Sequence, residues 1–166
     1  MTRAVCLVFS ARVFAVVFAL FLPTTSFAGS VLLMVQSGDR TVSYDAAALA
    51  ELGPVEVTTS TIWTEGLQHF TGVPLEAVLA DAGITEGTIV ATAINDYSIE
   101  IPIDETSLDE DGHGPTIAFL LNGKPMSVRD KGPLWLIYPY DSKPEFQTEV
   151  VYFRSIWQLS RISQAQ

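Results

Sequence analysis

Cysteine is all but missing from this 166-residue chain: Cys6 is the only one, and it falls in an N-terminal segment that reads as a removable leader. The working part then has no disulfide and no thiolate to offer a metal. Histidine is nearly as scarce. His69 and His113 stand far apart, with no H-x-H, H-x-x-x-H or Cys-His pairing, so a zinc site has no support. Positive charge is also short, nine Lys and Arg against nineteen Asp and Glu. So acidic a chain excludes nucleic acid and anionic lipid as partners held by general electrostatic attraction. There is no G-x-S-x-G, no Walker loop and no G-x-G-x-x-G. Without cysteine or a Ser-His pairing, nucleophilic catalysis has no visible apparatus.

What is present begins with three zones at the N-terminus. Arg3 and Arg12 supply positive charge, and Val13 to Leu22 is an unbroken apolar run. Pro23 then interrupts any helix, and Ser26-Phe27-Ala28 puts small residues where a signal peptidase reads. The apolar run is about ten residues, whereas a helix needs about twenty to cross a bilayer. The expectation is a signal peptide over 1–28, cut after Ala28, with no stable membrane insertion afterwards and a periplasmic product. Two of the nine cations leave with it, so the mature charge is 7 − 19 = −12. Residues 29–166 then suit one domain with one core.

Along that domain, Val31 to Val35 and Arg40 to Tyr44 flank a tight turn at Ser37-Gly38-Asp39. Asp45 is placed to cap a short Ala-rich helix that Gly53-Pro54 stops, and Val55 to Ser60 is strand-like. A loop follows at Trp63-Thr64-Glu65-Gly66, leading to Phe70-Thr71-Gly72. A helix follows with Pro74 in its first turn and Leu75, Val78, Leu79 and Ala82 on one face, closed by Gly83. Two strands flank Asn95-Asp96, and Asn122-Gly123 gives the strongest hairpin signal, joining Ile117 to Leu121 with Lys124 to Val128. Leu134 to Tyr138 and Tyr152 to Leu159 are further apolar segments. The fold class is mixed α/β and strand-rich.

Three places can carry a ligand. In Arg129-Asp130-Lys131-Gly132, ahead of Pro133, cations and backbone amides can converge on a phosphate or the polar edge of a heterocycle. A solvated turn with mutually paired charges is the plain alternative. Asn95, Asp96 and Tyr97 offer an amide, a carboxylate and a ring, although Asn and Asp are also ordinary turn residues. Trp63 either anchors its loop to the core or presents a stacking face. Trp135 and Trp157 lie in strand-like runs and read as core. Asp109-Glu110-Asp111 lacks calcium-loop spacing and reads as solvated.

The ordered series Phe70-Thr71-Gly72-Val73-Pro74-Leu75, Ala93-Ile94-Asn95-Asp96-Tyr97, Leu121-Asn122-Gly123-Lys124-Pro125-Met126 and Lys131-Gly132-Pro133-Leu134-Trp135 resembles the molybdopterin-binding domain of the sulfite oxidase family. The resemblance implies that family's mixed α/β fold. Enzymes of the family hold molybdenum through a cysteine thiolate, which residues 29–166 lack, so molybdenum is not expected. Trp63-Thr64-Glu65-Gly66, Asn95-Asp96-Tyr97 and Ser127 to Trp135 look more like a smaller group of exported pterin-binding proteins. Some of these serve as periplasmic partners of membrane sensors that make or degrade cyclic di-GMP. By that likeness Trp63, Tyr97 and Arg129 supply faces for a pterin and Asp96 and Asp130 accept its N–H groups. A molybdopterin oxidoreductase with other metal ligands, and an interaction domain without ligand, are the alternatives.

Overall fold

The computed structural model describes residues 29–165; the expected leader and its cleavage point lie outside the described residues. Asp45 caps α1 (Ala46–Ala50) as its composition suggested, its carboxylate accepting from the Ala48 N–H at 2.9 Å. In α2 (Leu75–Ala82) the residues at helical spacing, Leu75, Val78, Leu79 and Ala82, are the buried ones, and Gly83 ends it at φ 79°. Pro74 stands just before this helix, not inside its first turn.

Strands β1 (Leu33–Ser37), β2 (Arg40–Tyr44), β5 (Thr88–Ala93), β6 (Ser98–Pro102) and β10 (Leu159–Gln164) form one sheet in the order β2-β1-β10-β5-β6. All its pairs are antiparallel except β1 with β10, where Met34 lies beside Arg161. The second sheet runs β3 (Val55–Thr59), β4 (Gln68–Pro74), β7 (Thr116–Leu121), β8 (Lys124–Pro125), with β9 (Trp135–Ile137) also on β7. The main core joins both sheets to α2 through Leu33, Val73, Leu79, Ile89, Leu136 and Ile162. A smaller cluster holds Phe70, Ala118, Met126, Trp135 and Ile137.

Phe70-Thr71-Gly72, to which the Trp63-Thr64-Glu65-Gly66 loop leads, lies in strand β4, where Gly72 lets the backbone of Ile117 and Ala118 approach at a place where any side chain would collide. The Asn122-Gly123 turn is as expected, both residues at positive φ (51° and 74°), but its second strand stops at Pro125. Beyond it the chain turns through a short 3-10 helix at Val128–Asp130.

Candidate functional site

The segment read as one apolar run, Tyr152 to Leu159, is divided between helix and extended chain. Thr148 caps α3 (Glu149–Arg154), and residues 155–158 then cross between the sheets before β10. Leu136 N–H donates to the Ile156 carbonyl at 2.9 Å, and Ile94 N–H to that of Gln158 at 2.9 Å. This crossing, α3 and the Trp63 loop enclose a cleft of about 490 Å³, inside the range of roughly 300–1,000 Å³ typical of small-molecule sites.

Trp63, half-buried, is the hub of its walls. Its ring meets Trp135, Tyr140, Tyr152 and Trp157 edge to face, with centroids 5.8, 6.2, 5.9 and 5.8 Å away. Such geometry sets the positive edge of one ring on the negative face of another. Trp63 thus anchors its loop to the core, and it also lines the cleft. Trp157, expected in the core, is instead exposed and lines the cleft. Its neighbour Trp135 is fully buried, with its indole N–H donating to the Ser155 carbonyl at 3.2 Å.

The β5–β6 turn contributes Asn95 and Tyr97 to the walls. Asp96 takes φ 64° and Asn95 Oδ1 accepts from the Tyr97 N–H at 3.2 Å, a conformation that Asn and Asp tolerate better than other side chains. The Tyr97 hydroxyl donates to the Phe153 carbonyl at 3.2 Å, which ties this turn to α3. The exposed Asp96 carboxylate does not line the cleft.

The second expected loop is divided in the same way. Lys131 sits beside the cleft wall, its ammonium 5.5 Å from the Trp135 ring centroid and 5.6 Å from that of Trp157. Its carbonyl accepts from the Gln158 N–H at 2.9 Å. Arg129 and Asp130 are exposed and outside the lining, and Asp130 accepts from the Ser127 hydroxyl at 2.7 Å. Gly132 is buried with Met126 so close that a Cβ would lie 2.1 Å from the Met126 carbonyl oxygen. It shapes the loop and offers no surface to a ligand. Arg154 turns from the cleft to pair with Glu105 through its two terminal guanidinium nitrogens.

Local reading missed Ile62, Glu149, Tyr152, Phe153 and Ile156 as wall residues. A signal was there: Glu149, Tyr152, Phe153 and Ile156 recur at i, i+3, i+4 and i+7 behind a capping Thr148.

Two carboxylates outside the aromatic walls organise their surroundings. Asp109 is not simply solvated: it pairs with Lys143 and accepts from the N–H groups of Asp111 (2.9 Å) and His113 (2.8 Å). The Lys143 bond first, then the His113 N–H, hold its pKa down to about 2. Asp109, Asp111 and His113 lie close together, and Lys143 pairs with the Asp109 carboxylate. Asp141 joins β3 to the segment after β9. The Ser60 N–H first, then the Ser60 hydroxyl (2.7 Å), keep its carboxyl below the usual range, and Thr59 adds a weaker bond.

Both groups are depressed in the folded state, so the stability they lend is complete above the unfolded pKa near ~4 and is lost as pH falls through the folded value. In the case of Asp109 that window runs from about pH 4 to about 2. Denaturant midpoints measured across this window should fall less steeply for Asp109→Asn than for the wild-type chain. Equal slopes would mean that the Lys143 pairing contributes nothing.

No helix among the described residues is long and apolar enough to cross a membrane. No protein-family model and no curated protein matches the chain. Among solved structures it is similar to the sulfane dehydrogenase SoxCD from Paracoccus pantotrophus, with a TM-score of 0.58 and 17% sequence identity. The match covers 79% of this chain and 37% of that one, so the chain spans little more than a third of its neighbour's length. Likeness at this level concerns architecture alone, and it agrees with the strand-rich, mixed α/β, sulfite-oxidase-type fold that the sequence series implied.

Proposed function

We propose that this chain is a non-catalytic pterin-binding module, exported to the periplasm, which reports ligand occupancy to a membrane sensor controlling cyclic di-GMP. The aromatic cleft is the observation that carries the reading. A pterin is a flat ring with an amide-like edge. Trp63, Tyr97, Tyr152, Phe153 and Trp157 offer faces and edges to such a ring, while Asn95 and Glu149 offer hydrogen-bonding groups at the walls. A molybdenum centre does not fit these walls. Residues 29–166 include no cysteine, and neither Lys nor Arg lines the cleft to meet a cofactor phosphate.

The signalling half rests on the cleft mouth. Ile62, Phe153 and Tyr97 are 62%, 56% and 44% exposed, so the walls that would touch a ligand are also open to a partner. A pterin ordering the Trp63 loop against α3 would favour one arrangement of that surface. Occupancy then shifts the partner-competent population only as far as the ligand binds that arrangement more tightly.

Titration of oxidised and reduced pterins into the purified chain, followed by Trp fluorescence, tests the binding half. A saturable change at micromolar concentration is the expected outcome, and none below millimolar would overturn it. Stoichiometric molybdenum in protein purified from its native compartment would instead favour an oxidoreductase. Recovery of a membrane sensor on the loaded chain, and not on the empty one, tests the partner half.

A further inference from the structure

Beside the aromatic cleft lies a second hollow of different chemistry. Ile62 and Tyr152 line both the cleft and an adjoining hollow of about 170 Å³, whose other walls are Ser60, Thr61, Tyr140, Asp141 and Gln147. A ligand seated on the aromatic walls therefore has a polar space beside it, with Ile62 and Tyr152 common to both linings.

Most hydrogen-bond donors of this chamber are already committed. The Ser60 N–H and hydroxyl both point at the Asp141 carboxylate. The Tyr140 hydroxyl donates to Ser155 Oγ at 2.6 Å, and Gln147 gives one amide N–H to the Tyr140 carbonyl at 2.9 Å. The Thr61 hydroxyl shares a 2.8 Å bond with that of Thr64 and accepts from the Trp63 N–H. The Tyr152 hydroxyl and the second Gln147 amide N–H remain as donors, and among the described residues Asp141 is the one charged side chain of the lining. Neither Lys nor Arg is in the lining. The Ser60 donors also keep Asp141 ionised through the neutral range.

We infer that this chamber selects among ligands by their appendage, taking one that donates hydrogen bonds without negative charge and turning away a phosphate or carboxylate. A hydroxyl or an amine completes the Asp141 acceptor set, whereas an anion meets a carboxylate with no cation to offset it. The inference rests on the pterin reading of the cleft and narrows it, because a phosphate-bearing pterin falls in the excluded class.

The test uses three probes on the purified chain at fixed salt: unsubstituted pterin, 6-hydroxymethylpterin and pterin-6-carboxylate. Hydrogen bonds to a charged group contribute enough to separate the hydroxymethyl and carboxylate forms by about tenfold in Kd. The unsubstituted ring should fall between them. Asp141→Asn should shrink that separation to within a fewfold. Asp141 also secures Ser60, so the wild-type ranking stands as the primary result and circular dichroism checks the variant. Equal affinities for all three probes, or tighter binding of the carboxylate, would overturn the chamber's role and leave the pterin reading intact. Failure of every probe to bind would overturn both.

Discussion

Trp63→Ala is expected to lower the melting temperature by about 10 °C and to abolish any saturable pterin response. The stability loss follows from the four edge-to-face contacts that converge on this ring. Truncating a buried Trp costs about 3–5 kcal/mol, and a half-buried one belongs at the lower end, about 3 kcal/mol. For a domain of this size each kcal/mol moves the midpoint by roughly 2–4 °C or slightly more. The binding loss has a separate cause. Without Trp63 the rings of Tyr152 and Trp157 lose the partner that holds them at the cleft wall, and they can fold inward over the space. Trp63→Phe separates the two effects, since it restores much of the packing with a smaller face. Thermal melts and fluorescence titrations of both variants check this. An unchanged melting temperature in Trp63→Ala would show that the loop does not depend on its ring.

The second large effect is expected at Gly72→Ala, which touches no ligand. An added Cβ would stand 2.4 Å from the Ile117 carbonyl oxygen and 2.7 Å from the Ala118 Cα. These are backbone atoms of the neighbouring strand, where β4 and β7 shift register between Thr71 and Gly72. No rotamer change relieves such a collision; the strands must part. Overpacking costs typically about 1–3 kcal/mol, and an obstacle made of backbone puts this site at or above 3. Urea unfolding should show a midpoint reduced accordingly with little change in slope. Gly123→Ala is the contrast: nothing lies within 4 Å, so only its positive φ is strained and the loss should be nearer about 1 kcal/mol.

These two residues also mark where sequence reading works and where it stops. Periodicity found the buried face of α2, and turn chemistry found the Asn122-Gly123 hairpin and the Asp45 cap, because each signal is carried within a few residues. Nothing local marks Gly72 as a strand residue; only the approach of Ile117 explains a glycine there. The site divides along the same line. Trp63, Asn95 and Tyr97 were legible as ligand candidates from residue type and loop position, and the fold brings all three to one cleft. Arg129 and Asp130 have equally suggestive chemistry, but their side chains lie at the surface within a 3-10 turn whose direction nothing local encodes. Trp157 fails in the opposite sense. Its apolar surroundings in the sequence suggest burial, yet the segment crosses between sheets and leaves the ring at a surface hollow.

The parallel pairing of β1 with β10 has a consequence for when the chain can fold. The strand at the middle of the first sheet is the one that follows all the others in the sequence, and β1 and β5 each depend on it for their pairing. Until β10 is available those two strands have unsatisfied edges, and the hydrophobic face shared with α2 cannot close. Contacts between such distant parts of a chain form slowly, since the loop between them must be ordered before it is rewarded. Under the proposed export, a sheet that cannot close until its final strand arrives would favour passage in an open state and folding on the far side.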